Sequence, residues 1–253
     1  MTFISILPGE GRPTLDFRGG AIVPRLVGQG PRSARFALVA GGALLLGGDD
    51  VGIEVRVGAG CVLELEDVGG TVAYDADDEP SSWAIDIRVA AGGTLIWHGL
   101  PLVVSDGAHV VRTTRASLGD DAVLCLRDTV VLGRASERGG RLRQRMDVVG
   151  SSGRPIFAED LDAIGGHDVP GVLGDNRILD SMLLVGVRAP HDRDGSSGGM
   201  LQLESPGSLA RYLGKENHGS PIGALWPRWR AHAVQRADET ATSRYGEPHH
   251  VHA

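Results

Sequence analysis

The sequence predicts a mainly β protein: stacked β-sheets with a β-helix-like winding of repeated hairpins, plus a few short helices. Three observations carry this. A strand–turn–strand unit recurs at Arg56–Leu65, Arg88–Trp97 and Ser117–Leu126, each copy turning through small or acidic residues, with a shorter echo at Leu38–Leu46. The copies lie about thirty residues apart, a spacing typical of stacked supersecondary units. Between them the period is two: Ile53, Val55 and Val57 alternate with Glu54 and Arg56, and Ile85, Ile87 and Val89 with Asp86 and Arg88, which puts one face on a core and the other in water. Finally, the chain has 38 glycines spread along its length, as many tight turns require.

Taken in order, residues 15–46 read as early strands separated by Gly19-Gly20, Gly28-Gln29-Gly30 and Gly41-Gly42. Strands continue from Val51 to Ile156, interrupted by an acidic, proline-containing loop at Asp75–Ser82 that reads as a solvated hairpin tip. Beyond Glu159 the texture changes. Ile178–Val187 fits a helix or a buried strand, and periodicity does not choose between them. Ser208–Leu213 reads as a helix, because Ser205-Pro206 resembles a helix start and Gly214 a stop. His191–Gly199, rich in Asp, Ser and Gly, reads as a flexible loop. The apolar pattern fades from Ala231. The expected organisation is therefore a single β domain over residues 1–230 and a flexible C-terminal tail over 231–253.

Composition narrows the function classes. A formal charge of −7 disfavours nucleic acid, where a basic stripe is expected. Two cysteines, Cys61 and Cys125, make no disulfide framework. No charged-plus-apolar N-terminal segment is present, and the uncharged apolar runs are too short to span a bilayer. The expectation is a cytoplasmic protein with no membrane and no nucleic-acid partner. No Gly-x-Ser-x-Gly elbow, phosphate-cradling loop or His-Glu-x-x-His pair occurs, so nothing specifies catalysis.

What stands out is a set of acids in apolar or glycine-rich surroundings. Asp49 follows Leu44-Leu45-Leu46-Gly47-Gly48, as a turn acid would. Asp128 is flanked by strand residues on both sides, and a carboxylate buried there needs a partner or a function; Arg127 or Arg134 are the nearest cations in sequence. Glu159 ends the run Pro155-Ile156-Phe157-Ala158 and reads either as functional or as an exposed strand end. In the tail, His249, His250 and His252 are dense enough to capture a metal such as nickel, copper or zinc.

An ordered series of motifs resembles the UreD (UreH) family of urease accessory proteins. Gly41-Gly42-Ala43-Leu44-Leu45-Leu46-Gly47-Gly48-Asp49-Asp50 is similar to its Gly-Gly-x-x-x-Gly-Asp signature, and Val57–Cys61 to its turn. Thr71-Val72-Ala73-Tyr74 stands where the family has Ser/Thr-Lys-x-Tyr, and Thr94–Trp97 and Gly107-Ala108 match its Leu-Glu-Trp/Tyr and Gly-Ala. Asp128, Leu132-Gly133-Arg134, Glu137 and Gly139 resemble its Asp-x-x-x-Leu-Gly-Arg region; Pro155–Glu159 and Pro227-Arg228-Trp229 resemble later segments. Val72 replaces a lysine and Asp75 an arginine, and the aromatic, proline-rich stretch before Gly41 is missing, which marks a divergent member.

The resemblance implies a single UreD-like β domain, not an enzyme. It implies a scaffold that binds apo-urease with UreF-like and UreG-like proteins and assists nickel delivery, the metal passing in transit through an internal polar tunnel. On that reading Asp49, Asp128 and Glu159 are tunnel acids and Thr71 a polar lining group. The residues alone also admit a non-catalytic β-scaffold that binds carbohydrate or protein, and a small β-fold hydrolase using paired acids.

Overall fold

In the computed structural model, which describes residues 1–77, 79–190 and 199–245, the repeats become turns of a winding that passes alternately through two facing sheets. β1 (Thr2–Leu7), β2 (Thr14–Arg18), β3 (Ile22–Gln29) and β4 (Ser33–Ala40) open the chain. One turn runs through β5 (Asp50–Val57), β6 (Val62–Asp67) and β7 (Thr71–Ala73), and the next through β8 (Ser81–Val89), β9 (Thr94–His98) and β10 (Leu102–Val104). A third has β11 (His109–Leu118) and the long β12 (Val123–Leu132), which lies beside both β9 and β10. β13 (Arg141–Val149) begins a fourth turn, and β14 (Pro155–Ile164) folds back on it. Then come β15 (Ile178–Val185), β16 (Met200–Gln202), β17 (Gly207–Gly214) and one α-helix, α1 (Ile222–Tyr245).

The first sheet has the order β14-β13-β11-β8-β5-β1-β2; the second has β16-β17-β15-β12-β9-β6-β4-β3, with β10 beside the far half of β12 and β7 beside β10. The strands of the winding pair in parallel: β5, β8, β11 and β13 in one sheet, and β4, β6, β9 and β12 in the other. Parallel neighbours need a long crossover, and here passage through the opposite sheet supplies it. The two arms of each repeat therefore do not pair with each other as a hairpin's would. Each pairs with its counterpart in the next turn. At both ends the direction reverses: β2, β3, β14 and β15 are antiparallel to their neighbours in the winding.

The repeated turns have one backbone solution. The third residue of each, Gly60, Gly92 and Asp121, is left-handed, with φ of 58°, 65° and 56°. Glycine adopts this freely and Asp tolerates it better than most residues. Successive turns are stitched together, Gly60 N–H donating to Ala91 O (3.2 Å) and Gly92 N–H to Asp120 O (2.8 Å). Between the sheets lies the core. In the first sheet Ile4, Val55, Ile87, Ala116 and Val148 stand in register, all buried. In the second, Phe36, Leu65, Trp97, Leu126, Leu183 and Leu209 do the same.

Two segments depart from the sequence reading. Ser208–Leu213 is strand, within β17, not helix: its alternate residues face opposite ways, Leu209 joining the inter-sheet core and Ala210 the layer under α1. The actual helix start is Ser220-Pro221, where the Ser220 hydroxyl accepts from Ile222 N–H (3.2 Å). The ambiguous Ile178–Val187 segment resolves to the buried strand β15. Helix α1 also runs straight through Ala231, where the tail was expected to begin, and buries Ala233 and Ala237. Residues His191 to Gly198 of the expected loop, and His249, His250 and His252, lie outside the described residues. No helix is long and apolar enough to cross a membrane among the described residues.

Candidate functional site

The even-numbered residues of β12 face between the sheets: Leu124, Leu126, Val130 and Leu132 join the core. Asp128 shares their face, so strand alternation drives its carboxylate into an apolar interior. It is held there from the opposite sheet. Arg112 Nη1 of β11 donates to Asp128 Oδ1 at 2.6 Å, and Gln144 Nε2 of β13 donates to Oδ2 at 3.1 Å. Both members of the ion pair are largely buried, the side chains being 12% and 17% exposed. The Arg112 guanidinium also lies 5.0 Å from the Trp83 ring centre.

A second clamp lies across the sheets further along. Asp128 pairs in register with Ser181 of β15, and Ser181 with Arg211 of β17. Arg211 donates through both terminal nitrogens to the Glu159 carboxylate of β14, at 2.5 and 3.0 Å, and through Nε to Ser181 Oγ at 3.1 Å. The two clamps are reciprocal. In one the acid comes from the second sheet and the arginine from the first; in the other the roles are exchanged.

A third acid completes this belt. Asp67 ends β6 on the inward face of Leu63 and Leu65, and accepts from Trp97 Nε1 (3.0 Å) and Leu100 N–H (3.0 Å). Burial pushes its carboxyl above the usual range, the Trp97 and Leu100 donors and Arg112 partly offset this, and Asp128 adds to it. Asp67, Trp83 and Trp97 line two small cavities. One, of about 20 Å³, reaches Thr71 at the partly exposed start of β7; the other, of about 40 Å³, reaches Arg112 and Asp128. Each has room for water. The Trp83 and Arg112 Nε–H groups and Gln144 Oε1 are buried without a partner among the described residues.

The predicted residues thus divide. Thr71 and Asp128 line these neighbouring cavities, and Glu159 belongs to the same polar belt, paired and partly buried rather than an exposed strand end. Asp49 lies outside both cavities: its carboxylate accepts from Leu46 N–H (3.0 Å), closing the turn before β5 beside a surface depression. Neither cation nearest Asp128 in sequence pairs with it. Arg127 points to the other face of β12 and Arg134 pairs with Glu137. Sequence reasoning missed Asp67, although Leu63, Leu65 and Asp67 share one alternation. It also missed Arg112 and Arg211, whose partners come from distant strands. Among the described residues no group of three or more His, Cys, Asp or Glu side chains is arranged to hold a metal ion.

On the outer face of the second sheet, a separate nest anchors α1. The buried Asp180 carboxylate accepts from Arg127 Nη2 (3.0 Å) and Nε (3.3 Å), Thr129 Oγ1 (2.9 Å) and Ser220 Oγ (2.6 Å). His98 faces Arg127 Nη1 at 3.1 Å and stacks on Trp226 of the helix, ring centres 4.8 Å apart. Burial, then Arg127, lowers the His98 pKa.

Comparison with known proteins places this architecture. The family model of the UreD urease accessory protein matches residues 21–243. The chain is similar to urease accessory protein UreD 1 of Streptomyces griseus, 40% identical over 84% of this chain and 83% of that protein. It is also similar to UreD of Streptomyces avermitilis, 34% identical over 82% of each, and to UreD of Parafrankia sp., 31% identical over 76% of this chain and 74% of the other. The expected resemblance thereby holds across the winding, the polar belt and most of α1. The chain belongs to the UreD family of urease accessory proteins, which serve urease maturation and are not themselves the catalyst.

Proposed function

We propose that this chain is a maturation scaffold that sits on apo-urease together with UreF-like and UreG-like proteins, and that nickel in transit moves between its two sheets. The observation that carries the reading is the belt of three inward acids, Asp67, Asp128 and Glu159, facing a predominantly apolar inter-sheet core. A core built only for stability gains little from such groups, since burying paired charges roughly breaks even against apolar packing. Carboxylate oxygens in series suit a cation that must move on: each attracts a divalent ion, and none forms a closed cage. Thr71 is the polar group at the partly exposed end of this series, and Asp49 a surface acid near the winding's start. The tail histidines His249, His250 and His252 would serve capture rather than positioning.

Amide replacement tests this. Asp128→Asn with Glu159→Gln, and both with Asp67→Asn, keep side-chain size and remove negative charge. Urease activation by the reconstituted accessory proteins and nickel should fall while pull-down of the partners persists. Normal activation by the triple variant would remove these acids from the mechanism; joint loss of activation and partner binding would make them structural.

A further inference from the structure

The three inward acids are not equivalent. Asp128 is occupied by Arg112 and Glu159 by Arg211, each through charge-assisted hydrogen bonds. Asp67 makes no ion pair among the described residues; its two protein partners are the neutral donors Trp97 Nε1–H and Leu100 N–H. It is also the acid that lines both cavities. A second feature points to a ligand in the same place. Trp83 is 7% exposed, lines both cavities, and has an Nε1–H without a partner among the described residues. Such a buried donor calls for an acceptor, and a water in the cavity, free or bound to a cation, provides one.

Arg112 lines the larger cavity with Asp128, and its own Nε–H has no partner among the described residues. Its fixed charge repels an incoming cation and occupies Asp128 Oδ1. We propose that Arg112 is a built-in cation that closes the inter-sheet passage, so that a divalent transition-metal ion entering past Thr71 is held weakly at Asp67 and reaches Asp128 only when Arg112 moves aside. This rests on the passage reading above and adds its regulation: one open carboxylate, then a gate. The raised pKa of Asp67 fits, since a carboxyl that readily holds a proton releases it when a cation arrives.

Nickel titration of the full-length chain alone tests the gate without urease. Trp83 and Trp97 line the cavities, so quenching of tryptophan fluorescence by nickel reports entry. The wild-type chain should show a weak saturable quench that Asp67→Asn abolishes. Arg112→Gln should tighten it by on the order of tenfold, because a repelling charge is lost and Asp128 is released, whereas Arg112→Lys should titrate like wild type. The same quench in Asp67→Asn and wild type, or a folded Arg112→Gln that binds no tighter, would overturn the proposal. Should Arg112→Gln fail to fold by circular dichroism, Asp128→Asn replaces it: freed from its acid, the guanidinium turns toward Asp67 and nickel binding weakens; unchanged binding overturns the gate. The passage reading fails separately, by normal urease activation in the amide variants, so the two can be told apart.

Discussion

Asp180→Ala should be among the most damaging single replacements in the chain, at about 3–5 kcal/mol. Its carboxylate is completely buried and takes four hydrogen bonds, two from Arg127 and one each from Thr129 and Ser220. Bonds to a charged group contribute about 1.5–3 kcal/mol each in isolation, but they share one acceptor and do not add. The dominant effect is the Arg127 guanidinium, 17% exposed, left beneath the helix with only His98 for company. For a domain of this size the loss corresponds to roughly 6–20 °C in melting temperature. Ser220→Ala loses the cap of α1 and should cost about 1 kcal/mol. Because Ser220 and Asp180 act through one bond, the double variant should lose less than the sum. Urea denaturation followed by far-ultraviolet dichroism measures all three. An Asp180→Ala loss below about 1 kcal/mol would refute the argument that this nest anchors α1.

His98 gives a pH dependence with a definite sign. Its pKa is lowered in the folded protein, so its contribution is full above the unfolded value of about 6.5 and is lost as pH falls through the folded value; stability measured across this range should decline toward acid, and His98→Phe should flatten that slope. In the turn column, Gly92→Ala forces a Cβ into a φ of 65° and should cost about 1–2 kcal/mol in denaturant unfolding, leaving the sheet content unchanged. Removing residues 247–253 should leave urease activation intact when nickel is plentiful, since a terminal segment beyond the periodic core captures metal but hardly positions it; lost activation would put the tail on the route.

The parts of this fold legible in sequence are those set by neighbours a few residues away. Gly60, Gly92 and Asp121 recur at one turn position, and the apolar strand residues on both sides of Asp128 announce its burial. What was not legible depends on pairing across turns or between sheets: Arg112 meets Asp128 and Arg211 meets Glu159 only after both sheets form. The helix was hidden for a different reason. Its buried stripe is regular, at Ile222, Trp226, Trp229, Ala233, Ala237 and Thr240, but after Trp229 it consists of small residues that barely raise the apolar signal. Ser205-Pro206 and Gly214 meanwhile imitate helix ends around a strand, because the same residues serve turns.

The reversed strands at each end of the winding fix its length. An open parallel stack presents the same edge wherever it stops, so another copy, its own or a neighbouring molecule's, can always be added. Here an incoming turn would meet β2 and β3 at one end and β14 and β16 at the other, each of which itself runs against the winding's direction. The parallel winding itself is therefore lengthened without disturbing its ends only from within. A tandem duplication of residues 81–108 would slip in as one more turn, separate Thr71 from Asp128 by about 4.8 Å more, and leave both ends as they are. Relatives with longer or shorter passages would then differ by whole internal turns, while their terminal strands keep the same directions.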